Sequence, residues 1–263
     1  MNRTRDLATL TASALLALAA IGHAAAAEMT LDQVKAVLKS ASPSAPVDLA
    51  GKDLSDLDLS KLDFRNANLR GTSFFASKLV LADFRGATLE GANLNGAWLM
   101  GTDFTGANLT RASLLSVVVL GGEVKKMPVF KDANLTGVRM IADLPGADLS
   151  GANFSNAMAG VNIKNQGMGQ MRTDLASANL AGANLAGADF NRSLMAFSNL
   201  KGSDLRGTNF FNVKMAGADL TGANVTGADF TEADLDGTIF RDVKGMAEAK
   251  GFDRAANFNK IVR

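Results

Sequence analysis

The feature that most constrains the fold is a five-residue repeat with a large apolar residue at the centre of each quintet. In the stretch 173–242, Ala-Asn-Leu-Ala-Gly recurs almost unchanged, and fourteen successive centres follow without a break. These centres are Leu175, Leu180, Leu185, Phe190, Met195, Leu200, Leu205, Phe210, Met215, Leu220, Val225, Phe230, Leu235 and Phe240. A period of five matches neither the α-helix at 3.6 nor the β-strand at 2. It is typical of a chain that runs straight briefly, turns a corner and repeats, which is the mark of a stacked solenoid.

The positions within a quintet have separate roles. The residue two before the centre, the small position, carries a short side chain such as Ala178 or Ser193. Residues two apart in an extended segment point the same way, so we expect the small position and the centre both to point inward. The residue between them, the outward position, is usually Asp or Asn. The last two residues, the corner positions, often read Thr-Gly, Ser-Gly or Ala-Gly and suit a turn.

A second period, of twenty residues, predicts a coil with four quintets per turn. Every fourth centre is Phe, at Phe64, Phe84 and Phe104 in the first block (49–114) and at Phe190, Phe210 and Phe230 in the last. Twenty residues then make one turn, and one wall carries stacked rings. Ring stacking at the strand spacing of about 4.8 Å is favourable.

The motif Ala-Asp/Asn-Leu-x-x resembles the pentapeptide-repeat family over residues 47–242. The resemblance implies an all-β fold, a right-handed quadrilateral β-helix, to which we add short helical caps at both ends. It does not imply one activity, because the family is similar in shape and diverse in role.

Residues 1–27 read as a cleavable signal peptide. Arg3 and Arg5 form a charged start, 7–21 is an apolar run, and three alanines at 25–27 suit cleavage before Glu28. The alternative is an uncleaved apolar helix, although the run is short and rich in Ala for a membrane span. We therefore expect a periplasmic or secreted protein with no membrane span after cleavage.

Removal of this segment changes the chemistry that the chain can perform. Without Arg3, Arg5 and Asp6, the 27 basic and 26 acidic residues become 25 of each, and His23, the only histidine, is lost as well. The remainder has no His, Cys or Tyr. The most common general base, the thiol nucleophile and the best metal ligands are then absent. We predict a non-enzymatic protein with no catalytic residues, no metal and no cofactor.

The two ends of the repeat region are predicted to carry caps. Residues 28–46 hold an amphipathic helix over 30–40, with capping-box spacing from Thr30 to Gln33, and a Pro-containing linker. Residues 243–263 leave the repeat, and 246–250 and 255–258 suggest short helical turns. A cap at each end would protect the exposed sheet edge from pairing with other chains.

Two insertions, at 117–127 and 157–172, interrupt the repeat. If Phe130 follows Leu114 directly, with a one-residue slip near Leu144, Leu135 and Phe154 fall on the same wall as the other Phe centres. On that count the coil has thirty-four centres, and the insertions leave diagonally opposite corners without forming a shared site.

The strongest candidate for a binding surface lies around Trp98, the only tryptophan, which occupies an outward position. The first insertion is expected to emerge close to it, with apolar residues folding over the indole and lysines at the rim. An exposed Trp with an apolar loop and a basic rim is typical of a partner-binding anchor. The alternative is that the loop only buries the Trp. The candidate residues are Lys78, Trp98, Met100, Val118, Leu120, Lys125 and Lys126.

Two chemical alternatives remain open at this stage. The outward columns Asp63–Asp83–Asp103 and Asp189–Asn209–Asp229 place carboxylates one coil apart, which is the raw material of acid/base or glycosidase chemistry. The simpler interpretation is that Asp is the usual outward residue, relieved by Arg65 and Arg85. Met158, Met168 and Met171 could bind Cu(I), although gap filling is the common use of Met.

Three functions follow from these observations. The leading hypothesis is an exported, non-enzymatic scaffold that presents flat walls and two loops to an unknown protein partner, with no nucleic acid expected. The first alternative, implied by the family, is a DNA-mimicking binder of a topoisomerase such as gyrase, which needs a strongly negative rod. The second is a carbohydrate-active enzyme that uses the stacked Asp residues.

Overall fold

The computed structural model describes residues 28–40, 46–119, 124–161 and 172–263. The predicted signal peptide at 1–27 lies outside the described residues, as do linker residues 41–45. Leu120 and two of the three candidate copper ligands, Met168 and Met171, lie outside them too.

The repeat region is a right-handed quadrilateral β-helix, as predicted. Along the described coil, outward residues form parallel bridges with the outward residue one turn later, for example Asp63 with Asp83, except that no bridge joins Val118 to Asp143. The hydrogen bonds run along the axis between turns: the N–H of Leu69 donates to the carbonyl of Thr88 at 2.8 Å, and the N–H of Asn68 donates to Val47 at 2.8 Å. Every turn is thereby joined to the turns before and after it.

Few elements are long enough to be named helices or strands. Helix α1 spans Leu31–Ser40. Strands β1 (Ser113–Leu115) and β2 (Arg139–Ile141) pair in parallel, with Leu114 opposite Met140. A short 3₁₀ helix spans Phe258–Lys260. Elsewhere in the described coil each straight segment is reduced to a single bridge, because a corner follows after three residues.

Four faces run along the helix, each defined by its column of outward residues. Face one carries Asp48, Asn68, Thr88, Asn108, Asn134, Asn153, Asn184, Asp204 and Asn224. Face two carries Asp53, Ser73, Asn93, Ser113, Arg139, Met158, Asp189, Asn209 and Asp229. Face three carries Asp58, Lys78, Trp98 and Val118, then Asp143, Asp174, Leu194, Lys214 and Asp234. Face four carries Asp63, Asp83, Asp103, Val129, Asp148, Asn179, Asn199, Asp219 and Ile239.

The core is built from the two inward positions of each quintet. The Leu, Phe and Met centres from Leu54 to Leu235 are buried, and so are the alanines at the small positions. Where the small residue is Thr, its hydroxyl reaches a backbone carbonyl: Thr72 Oγ1 donates to Leu49 at 2.8 Å. The alternation of one large and one small inward residue therefore fills the interior of the coil without a channel.

The corners explain the choice of polar residues. At the corner after Phe64, the N–H of Ala67 donates to the carbonyl of Phe64 at 3.1 Å, and Asn66 adopts φ 56°. A positive φ at this turn position favours Gly and Asn. The carboxylate of Asp63 accepts the N–H of Arg65 at 3.0 Å. The outward Asp or Asn thus satisfies a corner amide, which is a structural reason for its frequency.

The N-terminal end is covered by α1. Thr30 and Gln33 form the reciprocal capping-box bonds: the N–H of Thr30 donates to Gln33 Oε1 at 2.8 Å, and the N–H of Gln33 donates to Thr30 Oγ1 at 3.3 Å. Val34 is completely buried, and Leu31, Val37 and Leu38 pack against the core. The helix thereby shields part of the first coil.

The C-terminal segment differs from the expected helical turns. Lys244, Lys250, Ala256 and Val262 pair with Asn224, Asp229, Asp234 and Ile239, so the segment winds a further coil with six residues per side. Helical structure is confined to Phe258–Lys260. Phe252 stacks on Phe230 with centroids 5.0 Å apart, and Phe258 stacks on Phe252 at 4.6 Å, so the aromatic side chains close this end.

The coil is also longer than the sequence count indicated. Val119 and Ala159 are buried centres, and their outward neighbours Val118 and Met158 pair with the preceding turn. The described part of the chain therefore holds thirty-six centres before the last coil, which is nine complete turns of four quintets. The sequence count had given thirty-four centres. The predicted bounds of both insertions begin too early, because 117–119 and 157–159 belong to the coil.

The Phe columns lie on opposite faces. On face four, Phe64, Phe84, Phe104 and Phe130 stack with successive centroid distances of 4.8, 5.1 and 5.0 Å. On face two, Phe190, Phe210 and Phe230 form the second column. Each column is a stack, as predicted, but the prediction that both share one wall with Leu135 and Phe154 is wrong. Leu135 and Phe154 lie on face one, since Asn134 pairs with Asn153.

Candidate functional site

Both insertions border face three. Val118 belongs to face three and Val129 to face four, so the first insertion leaves the corner between these two faces. Met158 belongs to face two and Asp174 to face three, so the second insertion leaves the corner between faces two and three. The prediction of diagonally opposite corners is therefore wrong. The error came from omitting Val119 and Ala159 as centres, which shifted the phase of every later quintet.

Face three departs most from the Asp/Asn pattern at its outward positions. Lys78, Trp98 and Val118 occupy three successive turns, and Leu194 and Lys214 follow further along. None of these five side chains can accept the corner amide that Asp or Asn accepts elsewhere. By contrast, every outward residue of the nine turns on face one is Asp, Asn or Thr. On face three a recurring structural hydrogen bond is replaced by apolar and basic side chains.

The structure brings most of the sequence-predicted residues together. Lys78, Trp98 and Val118 are consecutive neighbours in the face-three column. Trp98 is 38% exposed, and Lys78 Nζ lies 5.9 Å from the centroid of its ring. The returning arm of the first insertion lies close by, since the carbonyl of Lys126 accepts the N–H of Gly101 at 2.7 Å. Lys125 and Lys126 are both exposed at that edge.

The first insertion was expected to fold its apolar residues over Trp98 and Met100, and the structure differs in part. Met100 is only 3% exposed and lies beneath the returning arm rather than beside Trp98 at the surface. Val117 and Val119 point inward as a small-position residue and a centre, so they do not fold over Trp98. Val118 alone of these three valines is at the surface, half-buried.

Sequence reasoning missed three exposed apolar side chains that border face three. Among the described residues, the large apolar side chains with substantial exposure are Phe75, Leu81, Trp98, Met158, Phe197 and Val262. Phe75 lies at the corner between faces two and three, and Leu81 and Phe197 lie at the corner between faces three and four. Met158 and Val262 lie on other faces. The missed signal was a bulky apolar residue at a corner position.

Leu81 and Phe197 also adopt a left-handed backbone conformation. Their φ values are 60° and 58°, and the other corner residues with positive φ are glycine, alanine, polar or charged. The left-handed conformation costs roughly 1–2 kcal/mol for a residue with a Cβ. Each side chain lies over a glycine of the next turn: a Cβ at Gly101 or Gly217 would approach Leu81 Cδ2 or Phe197 Cδ1 to 2.6 Å. The conformation is common to the corners of the coil, so the unusual feature at these two corners is the large apolar side chain.

The charge of face three is positive in its middle section. Among the described residues from Lys78 to Lys214, the face and its two edges carry Lys78, Lys125, Lys126, Arg172, Arg192 and Lys214 against the acids Asp143 and Asp174. Asp143 and Asp174 are backbone bridge partners in adjacent turns, so their carboxylates are neighbours on the face. Partial burial raises the pKa of Asp143, and the neighbouring carboxylate of Asp174 raises it further. A cavity of about 340 Å³ adjoins them, lined also by Ser116, Ile141 and Leu194.

The outward aspartate columns are arranged as the sequence indicated, but on opposite faces. Asp63, Asp83 and Asp103 follow one another on face four, and Asp189, Asn209 and Asp229 on face two. Arg65 donates to both carboxylate oxygens of Asp63 and lowers the pKa of that side chain, and Arg85 does the same for Asp83. A general acid needs a raised pKa, so these two residues are held in the opposite protonation state.

Three further observations concern Met158, groups of metal-ligating side chains and the length of the helices. Met158, one of the candidate copper ligands, is 54% exposed on face two. In the described ranges no three His, Cys, Asp or Glu side chains are grouped closely enough to hold a metal ion. No helix within those ranges is long and apolar enough to cross a bilayer.

Proteins similar to this chain are found among solved structures. No curated protein matches the sequence. HetL, a pentapeptide repeat protein involved in heterocyst differentiation regulation in the cyanobacterium Nostoc sp. strain PCC 7120, is similar in structure. The match has 25% identity and a TM-score of 0.50, and it covers 87% of this chain and 93% of HetL.

Two other solved structures match the chain with lower TM-scores. A pentapeptide repeat protein from the Arabidopsis thaliana thylakoid lumen is 32% identical, covers 45% of this chain and 76% of its own, and has a TM-score of 0.26. Full-length QnrB1, a plasmid-mediated fluoroquinolone resistance protein, is 20% identical, covers 78% and 92% of the two chains, and has a TM-score of 0.23.

The family model of pentapeptide repeats matches most of the coil. Eight copies fall at residues 47–74, 76–114, 142–159, 173–210 and 208–244, which together make up more than half of the 263 residues. The matched segments are the turns of the β-helix, and the gaps between them include both insertions. The chain belongs to the pentapeptide-repeat family.

Proposed function

We propose that this protein is an exported, non-enzymatic scaffold that binds a protein partner through face three. The observation that carries the proposal is the concentration of unusual features on this face. Two insertions flank it, four of the six large exposed apolar side chains of the described residues lie on it or at its edges, and five of its nine outward residues are neither Asp nor Asn. Faces one and four are far more regular.

The physical character of face three fits a protein surface. Trp98, Leu81 and Phe197 provide apolar anchors on a rigid backbone, and large aromatic side chains dominate binding energy at protein interfaces. Basic side chains surround the anchors between Lys78 and Lys214. The partner is therefore a protein segment with apolar side chains and an acidic rim, since complementary charge favours association and specificity.

Export is supported by the sequence of residues 1–27, with its basic start, apolar run and small residues before Glu28. Fractionation of the source cells and the mass of the processed N-terminus test this part of the proposal. A mature chain beginning at or near Glu28 outside the cytoplasm is the expected result. An unprocessed cytoplasmic chain would contradict it.

Partner capture tests the binding surface. The double variant Leu81→Gly, Trp98→Ser removes two anchors from face three and should weaken capture of the partner from an extract of the exported fraction by at least tenfold. Leu81→Gly places glycine at a left-handed corner, so the coil is not strained by the change. The matched control, Met158→Ser with Val262→Ser, removes exposed apolar side chains from other faces and should leave capture unchanged. Equal capture by both variants and the parent chain would contradict the proposal.

The two alternative functions have less support. A DNA-duplex mimic requires a strongly negative rod, whereas residues 28–263 carry equal numbers of acids and bases. The carbohydrate-active alternative relied on the stacked Asp63 and Asp83, and a general acid in that column would need a raised pKa, whereas Arg65 and Arg85 lower the pKa of both carboxyl groups.

A further inference from the structure

The N-terminal end of the β-helix has its own features, separate from face three. Leu57 and Leu62 occupy small positions in the first turn, where later turns carry mostly Ala, Ser or Thr. Both side chains are half-buried and pack against the core. In the part of the chain that the structure describes, no turn precedes this one, so the larger side chains fill part of the interior that another coil would cover.

Helix α1 covers only part of this end. The N–H of Glu28 donates to the carbonyl of Asp53 on face two at 2.9 Å, so the chain enters on that side. Beside the helix, toward faces four and one, a solvent-open cavity of about 1020 Å³ remains. Its apolar lining includes Leu38, Val47 and Leu62. Its volume is at the upper end of the range of about 300–1,000 Å³ found for small-molecule sites.

The rim of the cavity is basic. Lys35, Lys39, Lys61 and Arg65 line it, with Asp63 as the one acidic lining residue. Arg65 is already paired with Asp63 at 2.6 Å. Within the part of the chain that the structure describes, no carboxylate lies within 4.0 Å of the ammonium groups of Lys35, Lys39 and Lys61. The hydrogen bond from Ser60 and the charges of Lys78 and Lys35 lower the pKa of Asp58, so Lys35 already faces a carboxylate. Lys39 and Lys61 are then the lining cations available to a ligand.

The dipole of α1 explains the position of Lys39 but not that of Lys61. Lys39 lies in the last turn of α1, where a cation stabilises the helix dipole. Lys61 is different, because it belongs to the first coil and occupies a corner with φ 62°, a conformation that Gly or Asn adopts at lower cost. Its side chain nevertheless lines the same cavity as Lys35 and Lys39 of α1.

We propose that this cavity binds an anionic amphiphile with a single hydrocarbon chain, such as an alkyl phosphate or a fatty acid. The anionic head pairs with Lys39 and Lys61, and the hydrocarbon chain lies on Leu38, Val47 and Leu62. Apolar surface contributes affinity and the cations select the head group. The site is distinct from face three and does not depend on the function proposed for it.

Calorimetric titration of the full chain with dodecyl phosphate, below its micellar concentration, tests the proposal. We expect one-to-one binding that is weakened at high salt. Shortening the alkyl chain should reduce affinity by up to about fourfold for each methylene removed from contact. Dodecyl maltoside and dodecyltrimethylammonium, with neutral and cationic heads, should bind at least tenfold more weakly.

A pair of double variants separates the cavity from general surface charge. Lys39→Gln with Lys61→Asn should weaken dodecyl phosphate binding about tenfold, and asparagine suits the left-handed corner at position 61. Lys244→Gln with Lys250→Gln removes the same charge at the opposite end and should have no effect. Equal loss in both variants, equal binding of all three head groups, or no binding would overturn the proposal. So would inorganic phosphate binding as tightly as dodecyl phosphate.

Discussion

At the scale of single residues, each position of the quintet satisfies a different requirement of the corner or the core. The outward Asp or Asn accepts a corner amide, as Asp103 does from Thr105 at 2.9 Å, and the small position fits between large centres. Where a small-position residue carries a hydroxyl group, that group must find an acceptor. Thr102 and Ser198 do so, donating to backbone carbonyls at 2.8 Å. Departures from these rules mark the positions with measurable consequences.

Ser193 is such a departure in the core. Its hydroxyl is buried and has no hydrogen-bond partner. Ser193→Ala should raise the free energy of unfolding by about 1 kcal/mol, because it removes the desolvation cost of an unpaired group. Ser198→Ala, the matched control, removes a hydroxyl that is bonded to Met195 and should leave stability unchanged or lower it. Denaturant unfolding of both variants checks this, and equal effects would contradict the account.

Asp143 is a departure at the surface, beside Asp174. The folded state raises its pKa, so protonation stabilises the fold, and this contribution is lost as the pH rises through the folded-state pKa. Asp143→Asn should therefore raise stability at pH 7 by a few tenths of a kcal/mol, the scale of an exposed cross-strand pair. The gain should shrink as the pH falls through the raised folded-state pKa and be lost below the ordinary carboxyl value of 3.8, where the parent side chain is protonated in both states. Thermal unfolding across this pH range measures it, and a gain that grows on acidification would contradict the assignment.

At the scale of the elements, the repeated unit is the straight segment and its corner, and much of it was predictable from sequence. The small-x-large pattern is local, so it correctly predicted which side chains point inward, the four-sided turn and the stacking of Phe64, Phe84 and Phe104. The reciprocal bonds between Thr30 and Gln33 follow from an equally local signal. The C-terminal coil was missed because its spacing is six, which weakens the five-residue pattern there.

The two Phe columns stack with different closeness, so equivalent residues in them should contribute differently to stability. Phe84 stacks on Phe64 and Phe104 with centroids 4.8 and 5.1 Å away, whereas Phe190 lies 6.0 and 6.5 Å from Phe154 and Phe210. Close aromatic pairs contribute about 0.5–1.5 kcal/mol each beyond their buried area. Phe84→Leu should therefore lower the free energy of unfolding by about 1–2 kcal/mol more than Phe190→Leu. Equal losses in the two variants, measured by denaturant titration, would show that stacking adds nothing to burial.

At the scale of the whole molecule, the phase of the coil decides which side chains share a surface, and this was the part that sequence did not predict. Val119 lies in a run of valines and Ala159 is small for a centre, so neither resembles a quintet centre. Omitting them rotated the later turns and separated the two insertions. Placing Phe130 in the column of Phe104, 26 residues earlier, would have recovered the first part of the correct phase. Likewise, the outward position of Trp98 was predicted from sequence, but the place of Phe197 at the edge of face three was not, because it depends on that phase.

The measurement that tests the arrangement most directly is disulfide formation between engineered cysteines across the second insertion. The native chain has no cysteine, so each pair reports one contact. Paired residues of adjacent strands fall within the Cα separation of about 4.4–6.8 Å that a disulfide requires. Met158→Cys with Asp189→Cys should oxidise readily, because these positions pair on face two, whereas Asn153→Cys with Asp189→Cys should not. Efficient crosslinking of the second pair, and none of the first, would move the second insertion away from face three and contradict the account.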